Sequence, residues 1–362
     1  MKRTVCVKCA CDGKVLLNGK DIYCRECFVV YAVHKFRSCL GKHRLFRRSE
    51  KCLVDVGGGP CGLALLSLVV SAVVDERKRL LADPVFLHIV DTPDFDPDAY
   101  ADITSYLGNL GFRLHLVHYG SVFHGEIDDS CLWSYDGSPQ VTQGLKETVK
   151  DVQTLFAGIK STTSATDVYD RLRTVLLYKI ARFFRCKYIL LHRCRTELVS
   201  GVAAGVAQGR GDQIKDDIAT LDRRWKDVTF VRPLRDFDSK EVLLFNYFSS
   251  KNRLALQPLP WSLMATRGSS DDTSSLQAES LSFFLSLQSV VACTTSTMFS
   301  AVNKLVELTP SDTAHICPLC RSVFELDFAD EQRSFPGFCY GCQLTLQEVT
   351  HVDLLRSAIA SL

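Results

Sequence analysis

The stretch "CLVDVGGGPCGLALL" (residues 52–66) joins a short, β-prone apolar run to a helix-length apolar run through a glycine-rich turn. The strand spans Lys51 to Val56, three glycines follow, and the helix beginning at Leu63 reaches a charged end at Asp75 to Arg79. Strand, glycine turn and helix in that order is how α/β proteins aim backbone N–H groups at a phosphate. The turn itself lacks the usual chemistry. An adenylating loop of the pattern Ser-Gly-Gly-x-Asp-Ser supplies two hydroxyls and a carboxylate, whereas this one reads Gly57-Gly58-Gly59-Pro60-Cys61-Gly62. No Gly-Lys-Ser or Gly-Lys-Thr follows, which excludes a Walker A loop. Cys61 sits where a helix dipole lowers a thiol's pKa, yet the sequence offers no partner base for a nucleophile. Cys186 and Cys194 read as core thiols.

Working outward, "PVFLHIVD" (84–91), "RLHLVHYG" (113–120), "CKYILLH" (186–192) and "VTFVRPL" (228–234) are four more strands, with helical stretches between them. That alternation predicts a parallel sheet covered on both faces. Residues 121–145 read as a polar loop and "TRGSSDDTSSLQAES" (266–280) as a flexible segment, so the α/β core is expected to end near residue 250. Gly201, Gly205 and Gly209, four apart, would form a smooth helix ridge for another backbone. Asp238 and Glu241 have the spacing of a helix cap rather than of a catalytic pair.

At 362 residues and 46% hydrophobic, the chain can bury a sizeable core, and its length suggests two or three domains. The formal charge of +2 is nearly neutral, so any affinity for nucleic acid must come from a local patch. Sixteen cysteines point either to a disulfide scaffold or to reduced thiols and metal. The opening "MKRTVCVKCA" has no apolar signal-like core, and the apolar run Leu63 to Val74 is far below the roughly 20 residues that span a bilayer. A soluble, cytoplasmic protein with reduced cysteines and no membrane partner is the expectation.

Eight of those cysteines are paired at the two ends. Cys6-x2-Cys9 and Cys24-x2-Cys27 are separated by fourteen residues, and Cys317-x2-Cys320 and Cys339-x2-Cys342 by eighteen. Each CxxC sets two thiolates on one tight knuckle, and two knuckles complete the closed four-sulfur shell that structural zinc prefers. Redox-active pairs and an iron–sulfur cluster are the alternatives. Cys11 reads as a bystander. After the first pairs comes "VHKFRSCLGKHRLFRRSEK" (33–51), in which Lys35, Arg37, Lys42, Arg44, Arg47, Arg48 and Lys51 face a single acid, Glu50, with aromatic and leucine residues interleaved. Such a helix can rest its apolar side on the protein and turn its cations to phosphates; a merely solvated basic face is the other reading.

Together "CVKC", "YCRECF", "VHKFRSCLGKHRL", "GGGP", "VRPLRDFDSKEVLLFNYF" and "CPLC…CYGC", in this order from residue 6 to about residue 345, resemble the cytoplasmic tRNA 2-thiolation protein 2 family. The resemblance implies a PP-loop fold (adenine nucleotide alpha hydrolase-like), an α/β parallel sheet flanked by zinc-ribbon-like modules. The expected divisions are a ribbon and basic helix in 1–50, a degenerate PP-loop domain in 51–250, and a helical segment with the second ribbon in 251–362. It also implies a catalytic PP-loop sister subunit, with which the wobble uridine of tRNAs for lysine, glutamate and glutamine is adenylated and thiolated using sulfur from a ubiquitin-like carrier. In such a sister the adenylating loop is intact and a mid-domain CxxC handles sulfur or a cluster. Here no cysteine lies between Cys131 and Cys186, and "HRCRTEL" (192–198) lacks the paired acids of the matching helix. These departures predict a non-catalytic subunit with two structural zinc sites and no ATP, gripping tRNA through Lys35, Arg37, Lys42, Arg44, Arg47 and Arg48. The competing readings are an adenylating sulfurtransferase in its own right and a zinc-ribbon adaptor that binds only protein.

Overall fold

The computed structural model describes residues 5–17, 21–46, 49–75, 80–91, 97–133, 143–249, 274–305, 314–325, 334–360 and 362. The chain opens with an antiparallel pair, β1 (Val15–Leu17) and β2 (Asp21–Tyr23), and Cys24 then caps helix α1 (Arg25–Lys42), its Sγ accepting the Cys27 N–H at 3.4 Å. Phe28, Ala32, Phe36 and Leu40 recur every four residues along α1, so one stripe is buried and the rest carries the charges.

β3 (Glu50–Asp55) leads through the glycine turn into α2 (Pro60–Val74), which is buried on most sides, as its uniformly apolar sequence requires. β4 (Ala82–Val90), α3 (Ala101–Asn109), β5 (Leu114–His118) and the two-residue β6 (Leu132–Trp133) follow. Then come α4 (Gln143–Ala157), α5 (Thr162–Phe183), β7 (Tyr188–Leu190), α6 (Arg195–Ala207), α7 (Ile214–Ile218), β8 (Leu221–Asp222), β9 (Thr229–Val231) and α8 (Ser239–Ser249). The sheet order is β6-β5-β4-β3-β7-β9-β8, parallel except for its two edge strands. The five strands expected from sequence are the parallel ones; the edges were too short to show a pattern.

Successive side chains of a strand point to opposite faces, and the sheet has two cores accordingly. Cys52 and Val54 of β3 join one core with α1, α2, α3 and α8, whereas Leu53 joins another with α4, α5 and the C-terminal segment. That segment comprises α9 (Leu276–Val290), α10 (Thr294–Val302), β10 (His315–Ile316), β11 (Val323–Phe324), α11 (Tyr340–Leu346) and α12 (Val352–Ile359). α9 and α10 pack with α6 and α7 in a third, smaller cluster.

Two expectations need correction. Residues 274–280 of the segment read as flexible are ordered: Ser275 caps α9 through the Ala278 N–H, and the Leu276 N–H donates to Thr163 Oγ1 at 3.0 Å; 266–273 lie outside the described residues. The polar loop of 121–145 is pinned at its start, because Lys179 Nζ donates to the Val122 and His124 carbonyls at 2.8 Å each, and α4 begins inside it. Of the three glycines of the expected ridge, a Cβ on Gly201 would meet nothing within 4 Å, whereas one on Gly209, just beyond the end of α6, would lie 2.5 Å from the Tyr340 ring, so close packing is confined to that end.

Candidate functional site

β3 lies between β4, which follows it in the chain, and β7, which returns much later, so the strand order reverses at the β3–β7 boundary. In open α/β sheets ligands bind outside the carboxyl ends of the strands at that reversal. The glycine turn after β3 and the residues after β7 stand there. Gly62 is compulsory: a Cβ on it would lie 2.0 Å from the Gly57 carbonyl oxygen, so the first turn of α2 touches the loop backbone.

Side chains occupy this crevice. Asp55, at the end of β3 and 0% exposed, receives both guanidinium nitrogens of Arg173 from α5, at 2.6 and 2.8 Å, and His192 Nδ1 at 3.0 Å. The His192 ring lies so close to the turn that a Cβ on Gly57 would be 2.4 Å from its Nε2. Burial by itself would raise the Asp55 carboxyl, but Arg173 and His192 outweigh it and hold it well below the usual carboxylate range. Beside it, burial pushes His88 down to about 4, so the ring is neutral, with Nδ1 2.6 Å from the Val56 carbonyl. Tyr169 Oη donates to Asp91 Oδ2 at 2.7 Å. The carboxylate nearest the turn is thus committed to an internal ion pair.

Cys61 and Cys194 are not isolated thiols. Together with Glu197 they place two sulfurs and a carboxylate oxygen within 4.8 Å of one another. The neighbouring Cys194 thiol and burial push the Cys61 thiol far up, which opposes a nucleophilic thiolate at neutral pH. Cys186 is buried in the core as expected.

Both terminal cysteine sets come together. Cys6, Cys9, Cys24 and Cys27 form one group and Cys317, Cys320, Cys339 and Cys342 another, each with all sulfurs within 4.8 Å of one another. The residue after the second cysteine of a first knuckle, Ala10 or Arg321, adopts a left-handed backbone at φ 60° or 61° in each case, so the two knuckles turn alike. Four thiols so placed fit the closed tetrahedral shell of structural zinc. Cys11 is exposed and outside the group.

The C-terminal group is also tied to the sheet domain by residues the sequence did not single out. Arg210 Nη1 donates to Cys342 Sγ at 3.3 Å, and Gln213 Nε2 to Cys339 Sγ at 3.2 Å. Arg210, 2% exposed, also pairs with Asp167 of α5, which accepts from Thr345 Oγ1 at 2.9 Å. A Cβ on Gly341 would lie 2.5 Å from Arg210 Cγ, which explains the glycine between Tyr340 and Cys342. Donors to metal-ligating atoms orient them and tune their charge.

The six basic residues expected to meet nucleic acid divide. Lys35 Nζ bonds both oxygens of Glu241 at 2.8 and 2.9 Å and lies 4.6 Å from the Phe237 ring centroid, so it fastens α1 to α8. Arg37 pairs with Asp75 at 2.8 Å, at the end of α2. Lys42 and Arg44 are exposed, and Arg47 and Arg48 lie outside the described residues. Desolvation and the charges of Lys42, Arg223 and Arg235 lower the pKa of His43, so the end of α1 shares its surface with arginines from around β8 and β9. Glu241 also accepts the Asp238 N–H at 2.9 Å, the cap expected, while Asp238 itself pairs with Arg195 at 2.6 Å.

Comparison with known proteins gives this geometry a context. No family model matches the chain. It is 29% identical over 358 residues to cytoplasmic tRNA 2-thiolation protein 2 of Aedes aegypti, covering 94% of this chain and 76% of that one. The chain is a relative of the cytoplasmic tRNA 2-thiolation protein 2 family. The rat protein of that name is 28% identical over 388 residues, covering 91% of this chain and 72% of its own. Among solved structures, a U34-tRNA thiolase, NcsA, from Methanococcus maripaludis with its [4Fe-4S] cluster superposes with a TM-score of 0.61 at 16% identity, covering 91% of this chain and 96% of that one. The fold is therefore of the PP-loop type. Among the described residues, no helix is long and apolar enough to cross a membrane.

Proposed function

We propose that this chain is a cytoplasmic subunit of a tRNA thiolation complex that supports, rather than performs, the chemistry. The names of its relatives and of its structural neighbour support thiolation of tRNA as the process. The supporting role rests on one observation: at the strand-order reversal, Asp55 is consumed by Arg173 and His192, and the His192 ring stands against Gly57. Pyrophosphate of an activating nucleotide needs open amides and a free carboxylate for its metal, and this turn supplies neither hydroxyl nor free acid. Activation of the wobble uridine of tRNAs for lysine, glutamate and glutamine, and its exchange for sulfur from a thiocarboxylated ubiquitin-like carrier, then fall to a catalytic sister subunit of the same fold.

The division into an N-terminal ribbon with its basic helix (1–50), a degenerate PP-loop domain (51–250) and a C-terminal segment with the second ribbon (251–362) belongs to this proposal. The two four-cysteine groups hold structural zinc, which braces the ends of the chain. RNA phosphates meet the end of α1, where Lys42 and Arg44 are exposed beside Arg223; Arg47 and Arg48 extend the same stretch of sequence. Lys35 and Arg37 shape that surface from beneath. Purification of the chain from cells should recover a second PP-loop protein, and its depletion should remove wobble 2-thiouridine from those tRNAs. Unchanged thiouridine after depletion would refute the proposal.

A further inference from the structure

We propose that Cys61, Cys194 and Glu197 form a third metal site, for a thiophilic divalent cation of the zinc class, beside the glycine turn and separate from both four-cysteine groups. The site is assembled by the fold and not by a sequence motif. Cys61 is in the first turn of α2, whose Gly59 cap offers no side chain, and Cys194 is the cap residue of α6. Glu197 is fixed by accepting the Cys194 N–H at 2.9 Å. All three donor atoms lie within 4.8 Å of one another, the span of each four-cysteine group.

Two thiols and a carboxylate are a zinc-type donor set. The one carboxylate of the group, Glu197, disfavours a phosphate, the ligand that the turn would otherwise suggest. The nearest arginines are committed elsewhere, Arg195 to Asp238 and Arg193 to Asp170, and among the described residues no lysine or arginine forms an ion pair with Glu197. Two helix N-termini meet at the sulfurs, and a bound divalent cation supplies the charge that lets both thiols ionise. On binding, both thiol protons leave to solvent, and two thiolates plus one carboxylate face a charge of two, leaving one negative charge at the site. Cys61 is 6% exposed and Glu197 is part-exposed, so the ion has a way in.

The test is the metal content of the full-length protein titrated with Co2+ or Zn2+ under reducing conditions. Wild type should bind one equivalent more than the Cys61→Ser, Cys194→Ser double variant, with thiolate-to-cobalt charge transfer falling in proportion. Glu197→Gln, which retains the bond to the Cys194 amide, should lose the same equivalent to a competing chelator while its thermal melt stays as in wild type. A second readout needs no variant: zinc should protect Cys61 and Cys194 from disulfide formation by diamide, mapped by peptide mass spectrometry. Equal stoichiometry in wild type and the double variant, or a Cys61–Cys194 disulfide forming equally fast with and without zinc, would overturn the site.

Discussion

At Asp55 the physical balance is that of a buried ion pair, in which the carboxylate is tolerated because Arg173 and His192 surround it. Replacing Arg173 by Met leaves the buried carboxylate with the His192 ring alone and should cost about 3–5 kcal/mol of stability, read from denaturant midpoints. Replacing Asp55 by Asn in the same background should restore much of the loss, because the uncompensated charge is then gone. His88 gives a pH signature. Its folded pKa is about 4, against about 6.5 when unfolded, so the unfolded chain binds the proton first. Stability from this residue is complete above pH ~6.5, and about 3 kcal/mol is lost as pH falls through that interval to ~4. His88→Gln should flatten that slope in urea titrations at stepped pH. None of these partnerships was legible in the sequence: Asp55, Arg173 and His192 come from three distant elements, and no local spacing joins them. The glycine turn was legible, since a run of glycines between an apolar strand and an apolar helix marks it; the crowding that demands a glycine at 62 was not.

Among the elements, α1 shows where composition misleads. Its cations look alike in the sequence, yet Lys35 and Arg37 lie beside the buried stripe of Phe28, Phe36 and Leu40 and find acids on α8 and α2. The helical period fixes which residues flank the stripe, but the acids opposite, Glu241 and Asp75, are set by tertiary packing. Lys35→Met should therefore lower stability by about 2 kcal/mol and leave the salt dependence of tRNA binding unchanged. Lys42→Ala with Arg44→Ala should do the reverse, reducing the slope of log affinity against log salt by about one to two, measured by filter binding over a salt series. The cysteine knuckles were fully readable because their chemistry is local. Their supports, Arg210 and Gln213, were not, since they reach the sulfurs from the turn after α6. Short edge strands β6 and β8 escaped for want of residues enough to show a period.

Over the whole molecule, the parallel centre of the sheet and its two buried faces followed from alternating strands and helices, whereas the packing of the C-terminal segment on the sheet had no local signal in the sequence. Cys317, Cys320, Cys339 and Cys342 share one core with β3, β4, β5 and α5, so the second cysteine group is a part of the sheet's packing. Stripping zinc with a strong chelator should accordingly lower the melting temperature by at least about 5 °C, and amide exchange should quicken in α11, α12 and the adjoining turns of α5. The N-terminal group touches the opposite face, and its loss should quicken exchange in β1, β2 and the start of α1 instead. A PP-loop sheet with its reversal point filled by its own side chains is the central claim, and ATP–pyrophosphate exchange in the presence of tRNA measures it most directly. The isolated chain is predicted to show no exchange, with activity appearing only when a catalytic PP-loop partner is added. Exchange by the isolated chain that vanishes when Gly57 to Gly62 are altered would contradict it.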